Sequence, residues 1–158
     1  MRRNQWVGSL VIGLGLGMGA SAAVAAPALP AAVKAHVADM RASCKDAGGR
    51  PGRSPELVQI ADVTGDGRAD YVINEGAFDC VGAESYFSGG SGGSSVSVYV
   101  SDTTGSAKQA FTHGVFGVHM ERSGQTARVW LGVGGPLCGQ KQFRSRAEAE
   151  DCWRPLQW

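Results

Sequence analysis

Charge is sparse in this sequence, and the little it carries is balanced. Only 18% of its 158 residues are charged, with 15 Lys and Arg against 14 Asp and Glu. No basic stripe runs along the chain, which argues against nucleic acid as a partner, because phosphate binding needs clustered Lys and Arg. No block of like charge marks it for a membrane surface. Cys-x-x-Cys spacing is absent and no His lies close in sequence to a Cys, so the cysteines do not read as zinc ligands.

Catalytic signatures are missing as well. The run Gly89-Gly90-Ser91-Gly92-Gly93 matches Gly-x-Ser-x-Gly literally, but it sits in a glycine tract with no strand-to-helix setting. There is no P-loop Lys-Ser/Thr ending and no Gly-x-Gly-x-x-Gly between a strand and a helix. His113 and His119 flank an expected strand without a triad pattern, and nothing in their spacing pairs Glu75 with Asp79 as a glycosidase would. No reaction is specified, and no full internal repeat is present.

What is there begins with a targeting segment. Arg2 and Arg3 form a positive start, residues 6–18 an apolar core, and Ala23-Val24-Ala25 a small-x-small cleavage pattern. Gly13, Gly15, Gly17 and Gly19 interrupt that core, which is too short for the ~20 strongly apolar residues of a membrane span. Residues 1–25 are therefore expected to be a signal peptide, and residues 26–158 a single domain in the periplasm or outside the cell, with no membrane contact after cleavage. Losing Arg2 and Arg3 leaves 13 Lys and Arg against 14 acids. A mature chain of about 130 residues can bury a modest core. Glycine is abundant at 24 residues, yet the apolar share of 43% is that of an ordinary globular protein.

Cys44, Cys80, Cys138 and Cys152 all follow the cleavage pattern. An even number in an oxidising compartment reads as two disulfides, for which three connectivities exist. Pairing Cys44 with Cys80 and Cys138 with Cys152 is favoured, because each bond then staples a local unit.

Local patterns predict an α+β domain. Val33, Val37, Met40 and Cys44 recur at helical spacing and place a first helix over 30–47, stopped by Gly48-Gly49. His36 flanks that stripe, solvated or half-buried. Strands are expected over 57–61, 71–74, 95–101 and 127–133, with one or two more within 109–119, about five in all in an antiparallel sheet. Ser145-Arg146-Ala147-Glu148 is a capping box and predicts a short closing helix to about Trp153.

The chemistry with the clearest spacing lies in Asp62-Val63-Thr64-Gly65-Asp66-Gly67-Arg68-Ala69-Asp70. Oxygen side chains stand at places one, three, five and nine, and a glycine at six permits the sharp bend a calcium loop needs. An ordinary Asp-Gly turn explains Asp66-Gly67 but not the flanking Asp62 and Asp70. Three carboxylates in nine residues repel one another without a cation. The expected ligands are the side chains of Asp62, Thr64, Asp66 and Asp70 with the carbonyl of Arg68. The twelfth place, which carries a bidentate Glu in an EF-hand, is Ile73, and Glu75 lies two residues further. The loop is therefore expected to bind in the weak extracellular class, with a Kd of about 10⁻⁴–10⁻³ M, and to act structurally.

That loop, followed by Tyr71-Val72, resembles the calcium loop of FG-GAP/VCBS repeats of secreted and surface proteins. The longer stretch through Cys80 and the Gly/Ser-rich run 87–94 is similar to small exported proteobacterial proteins. The resemblance implies calcium binding at about a dozen residues. FG-GAP repeats occur in series as propeller blades, and one loop does not make a propeller.

Two further features bear on partners. Residues 86–95 read as a mobile surface linker, or as a loop that could enter an enzyme cleft. Trp130, Phe143, Trp153 and Trp158 crowd one region and are expected mainly in the core. Tyr86, Trp153 and Trp158, where exposed, are the candidate contacts for a protein or glycan. The composite expectation is an exported, calcium-binding, non-enzymatic protein of the bacterial envelope. Its alternatives are a periplasmic hydrolase inhibitor acting through 86–95, and a metal-dependent hydrolase using the ion at 62–70.

Overall fold

Helix α1, Ala31–Asp46, opens the described part of the chain, residues 28–158 of a computed structural model. The expected signal segment, residues 1–25, lies outside the described residues. Val33, Met40 and Cys44 form the buried stripe of α1, as their spacing predicts, while Lys34, Arg41 and Lys45 face water. Gly48, with φ of 83°, turns the chain out of the helix.

Nine strands follow among the described residues: β1 (Arg50–Pro51), β2 (Val58–Ala61), β3 (Asp70–Asn74), β4 (Cys80–Val81), β5 (Ser94–Ser101), β6 (Ala107–Val115), β7 (Gly117–Ser123), β8 (Thr126–Gly134) and β9 (Asp151–Pro155). They form three antiparallel sheets, ordered β1-β4, β2-β3-β5-β6 and β7-β8-β9. The expectation of one sheet of about five strands is corrected. β1 and β4 are too short to show a period, and the apolar run 109–119 is two strands broken at Phe116.

Alternation along β3 and β5 sets the layering. Tyr71, Ile73 and Tyr99 face α1 and join Val33, Met40, Cys44 and Phe78 in one core. Val72, Val96 and Val98 point the other way and meet Ala127, Val129, Leu131 and Val133 of β8 in a second. The four-stranded sheet is thus covered by a helix on one face and by the three-stranded sheet on the other. Among the described residues the fold is mostly β with one α-helix.

The expected closing helix is not formed. Residues Arg146–Glu148 make a single 3₁₀ turn, and β9 then pairs with β8 through Val133↔Cys152 and Gly132↔Trp153. The Ser145 carbonyl accepts from the Glu148 amide, and the Glu148 carboxylate takes the Arg144 amide. The capping box therefore closes one turn only. A helix of nine residues is marginal by itself, and the open edge of β8 offers a ladder of hydrogen bonds that a helix would forgo.

Both favoured disulfides are present, Cys44–Cys80 and Cys138–Cys152. The first ties α1 to β4 and the second ties the end of β8 to β9. Two disulfides belong to an oxidising, non-cytoplasmic environment. Among the described residues no helix is long and apolar enough to cross a membrane.

Candidate functional site

Loop 62–70 joins β2 to β3 at the seam between the two larger sheets. Asp62 pairs in parallel with Thr126: its amide donates to the Gln125 carbonyl and its carbonyl accepts from the Ala127 amide. Gly65 and Gly67, with φ of 80° and 84°, let the loop curl back over Asp62. The curl aims amides at the Asp62 carboxylate. Oδ1 accepts from Gly65 at 2.7 Å and from Asp66 at 3.2 Å, and Oδ2 accepts from Gly67 at 2.8 Å. Burial pushes the Asp62 carboxyl up, but the amides of Gly67, Gly65 and Asp66 outweigh it and hold it below its ordinary value of 3.8.

Asp70 is fully buried. Its Oδ2 accepts from the amides of Val63 and Thr64 and from the Thr64 hydroxyl, and its Oδ1 accepts from Ser101 at 2.9 Å. Asp66 turns outward to the guanidinium and amide of Arg68, whose Nε reaches the Ser101 carbonyl at 3.0 Å.

These residues are neighbours, yet the expected cage is not formed. The carboxylates face separate sets of donors, and among the described residues no three His, Cys, Asp or Glu side chains converge as a metal cluster. The donor set nevertheless suits calcium in kind, being entirely hard oxygen. Among the described residues neither buried carboxylate has an ion pair, and Arg68 pairs with the outer Asp66 instead. Asp62 and Asp70, 6% and 0% exposed, are held by neutral donors alone.

The aromatics divide. Trp158 lies beside loop 62–70 in an open cavity of about 660 Å³ that Thr64, Glu121, Arg122 and Arg128 also line. Trp153 is elsewhere, on the outer face of the three-stranded sheet. Tyr86 packs edge-on against Phe87, ring centroids 4.9 Å apart, well away from both. The expectation of a mainly core role is corrected: Trp153, Trp158 and Phe143 are 54%, 51% and 42% exposed, because valines and leucines of β5 and β8 already fill the space between the sheets.

The segment 86–95 is not a loose linker either. Gly90–Gly92 form a 3₁₀ turn, and Gly93, at φ of 75°, sits where any Cβ would strike the Val115 carbonyl of β6. Glycine is required there by close packing, rather than by mobility.

Sequence reasoning passed over one half-buried polar chain. His36 Nδ1 lies 2.9 Å from the Tyr99 hydroxyl and its Nε2 3.2 Å from Glu75, and Tyr99 donates to Gln109. Burial, then the negative charges of Glu75 and Asp39, push the Tyr99 phenol up. The available signal was His36 at the edge of the helical stripe facing a Tyr on the inward face of a strand. Nothing in the spacing of the chain joins them.

Compared with known proteins, the chain matches no family model, no curated protein and no solved structure.

Proposed function

We propose that this chain is an exported, non-enzymatic binding protein of the periplasm or extracellular space, in which loop 62–70 takes calcium as a structural ion. One observation carries the reading. Two carboxylates of one short loop, Asp62 and Asp70, are buried with no opposite charge paired to either. Amides offset the burial, but no opposite charge neutralises either carboxylate, and a divalent cation among hard oxygens would do so. Asp62, Asp66 and Asp70 with Thr64 and the Arg68 carbonyl would hold the ion, Asp66 leaving Arg68 to do so. The calcium spacing and the resemblance to FG-GAP/VCBS loops point the same way, and two disulfides fit an exported protein. Tyr86, Trp153 and Trp158 are the exposed aromatics through which a protein or glycan would be engaged.

Thermal unfolding of the oxidised protein in EDTA, calcium or magnesium tests this. At about 10 mM, roughly ten times the weakest Kd of that class, calcium contributes about 1.4 kcal/mol and raises Tm by about 3–6 °C. Asp66→Ala removes that rise. An unchanged Tm, or an equal rise with magnesium, would overturn calcium as the ion.

A further inference from the structure

The outer face of the β7-β8-β9 sheet carries features that no structural role absorbs. Outward positions follow from the register: Gly117, His119 and Glu121 on β7, Arg128, Trp130 and Gly132 on β8, Trp153 and Pro155 on β9. Trp153 stands directly across from Gly132, which in turn faces Gly117 on the far strand. Its indole does not stand upright. The ring tip reaches across β8 to Gly117, where a Cβ would meet Cη2 at 3.0 Å and Cζ2 and Cζ3 at 3.8 Å. Two strand spacings separate those backbones, about 9.5 Å, so the ring extends across β8 and touches Gly117 with its tip. A side chain at Gly132 would crowd the Gly117 amide, at 3.1 Å. With 54% of the residue exposed, the indole keeps a face open to water.

Polar groups frame that face. His119 stands edge-on to Trp153, centroids 6.4 Å apart at 75°. The Trp130 indole N–H donates to Glu121 at 3.1 Å, which anchors both beside the platform. His119, Glu121, Trp130 and Trp153 line an open cavity of about 640 Å³, and Glu121 is the one Asp, Glu, Lys or Arg among them.

We propose that this platform binds an uncharged pyranose unit of a glycan. An exposed indole is the partner for the axial C–H face of a sugar ring, which is apolar and matches its dimensions. The Glu121 carboxylate accepts from hydroxyls and the His119 imidazole hydrogen-bonds to them. Glu121 and Arg128 stand across from each other and balance in charge, so the face favours neither an acidic nor a basic sugar. A lipid surface is disfavoured too, because both charged groups would be desolvated. This site is independent of loop 62–70 and stands or falls without calcium.

The test is tryptophan-fluorescence titration of the oxidised full chain with cellohexaose, chitohexaose and maltohexaose, run with and without calcium, alongside sedimentation. Saturable binding in the millimolar range to at least one oligosaccharide is expected. Trp153→Ala should weaken it by about tenfold or more, Glu121→Gln by less, and Trp158→Ala not at all. No binding to any of the three overturns the proposal, and that wild-type measurement needs no variant to fold. Binding undiminished in Trp153→Ala overturns it as well. Concentration-dependent dimerisation lost in Trp153→Ala, with no sugar binding, would assign the face to a second copy of the chain instead.

Discussion

Asp62 shows how a single residue can carry both local structure and pH response. Three amides of its own loop converge on its carboxylate, so the loop conformation requires it to be ionised. A carboxyl whose folded value is depressed contributes stability that is present above its ordinary value of 3.8 and lost as pH falls through the folded one. Melting temperature should therefore drop as pH falls below about 4. Asp62→Asn should lower stability at neutral pH and flatten that acid limb; an acid limb of undiminished slope would deny Asp62 the role. Gly93 illustrates a different residue-level cause. Its positive φ and the Val115 carbonyl above it exclude every side chain, a demand that a glycine-rich tract conceals because any one of its glycines could be the required one.

Among the elements, β9 is the one whose identity is decided from outside. Its ladder to β8 is supplemented by the Cys138–Cys152 bond and by the Leu156 amide donating to Val129. A disulfide closing so short a loop, 14 residues apart, stabilises by about 3 kcal/mol in the chain-entropy account. Replacing Cys138 and Cys152 together by Ala should lower global stability by about 2–4 kcal/mol and speed amide exchange first in β9. Amides of α1, held by the separate Cys44–Cys80 bond, should keep their relative protection. Uniform loss of protection across both would show that β9 has no local opening of its own. α1 and the longer strands were legible in the sequence because their apolar residues repeat at one period over several turns or pairs. β9 was not: Asp151-Cys152-Trp153-Arg154-Pro155 has no clean alternation and follows a genuine capping signal.

At the scale of the whole molecule, β3 and β5 belong to two cores at once. Ile73 and Tyr99 pack toward α1, and Val72 and Val98 toward β8. Neither core can dissolve while leaving the shared sheet intact, so the described region should unfold as one cooperative unit. The natural probes separate the layers: the helix reports by far-UV dichroism, while Trp130, Trp153 and Trp158 report from the three-stranded side. Urea transitions by the two signals should coincide. A fluorescence transition at clearly lower urea would mean that the β7-β8-β9 sheet opens separately.

Local order was determined by the sequence alone, since it depends on neighbours within a few residues: the amphipathic stripe of α1, the alternation of β5 and β8, the tight acidic loop after β2, and an even set of cysteines. Those signals act over a turn of helix or a pair of strands, which is within reach of spacing. Tertiary structure decided what spacing cannot encode. It made residues 151–155 a strand rather than a helix, because an unpaired β8 edge and Cys138 were waiting there. It turned the Asp62 and Asp70 carboxylates toward amides of their own loop and of β5 instead of toward one point. It carried the Trp153 ring tip across β8 to Gly117, because those residues lie on different strands and meet only when the sheet is assembled.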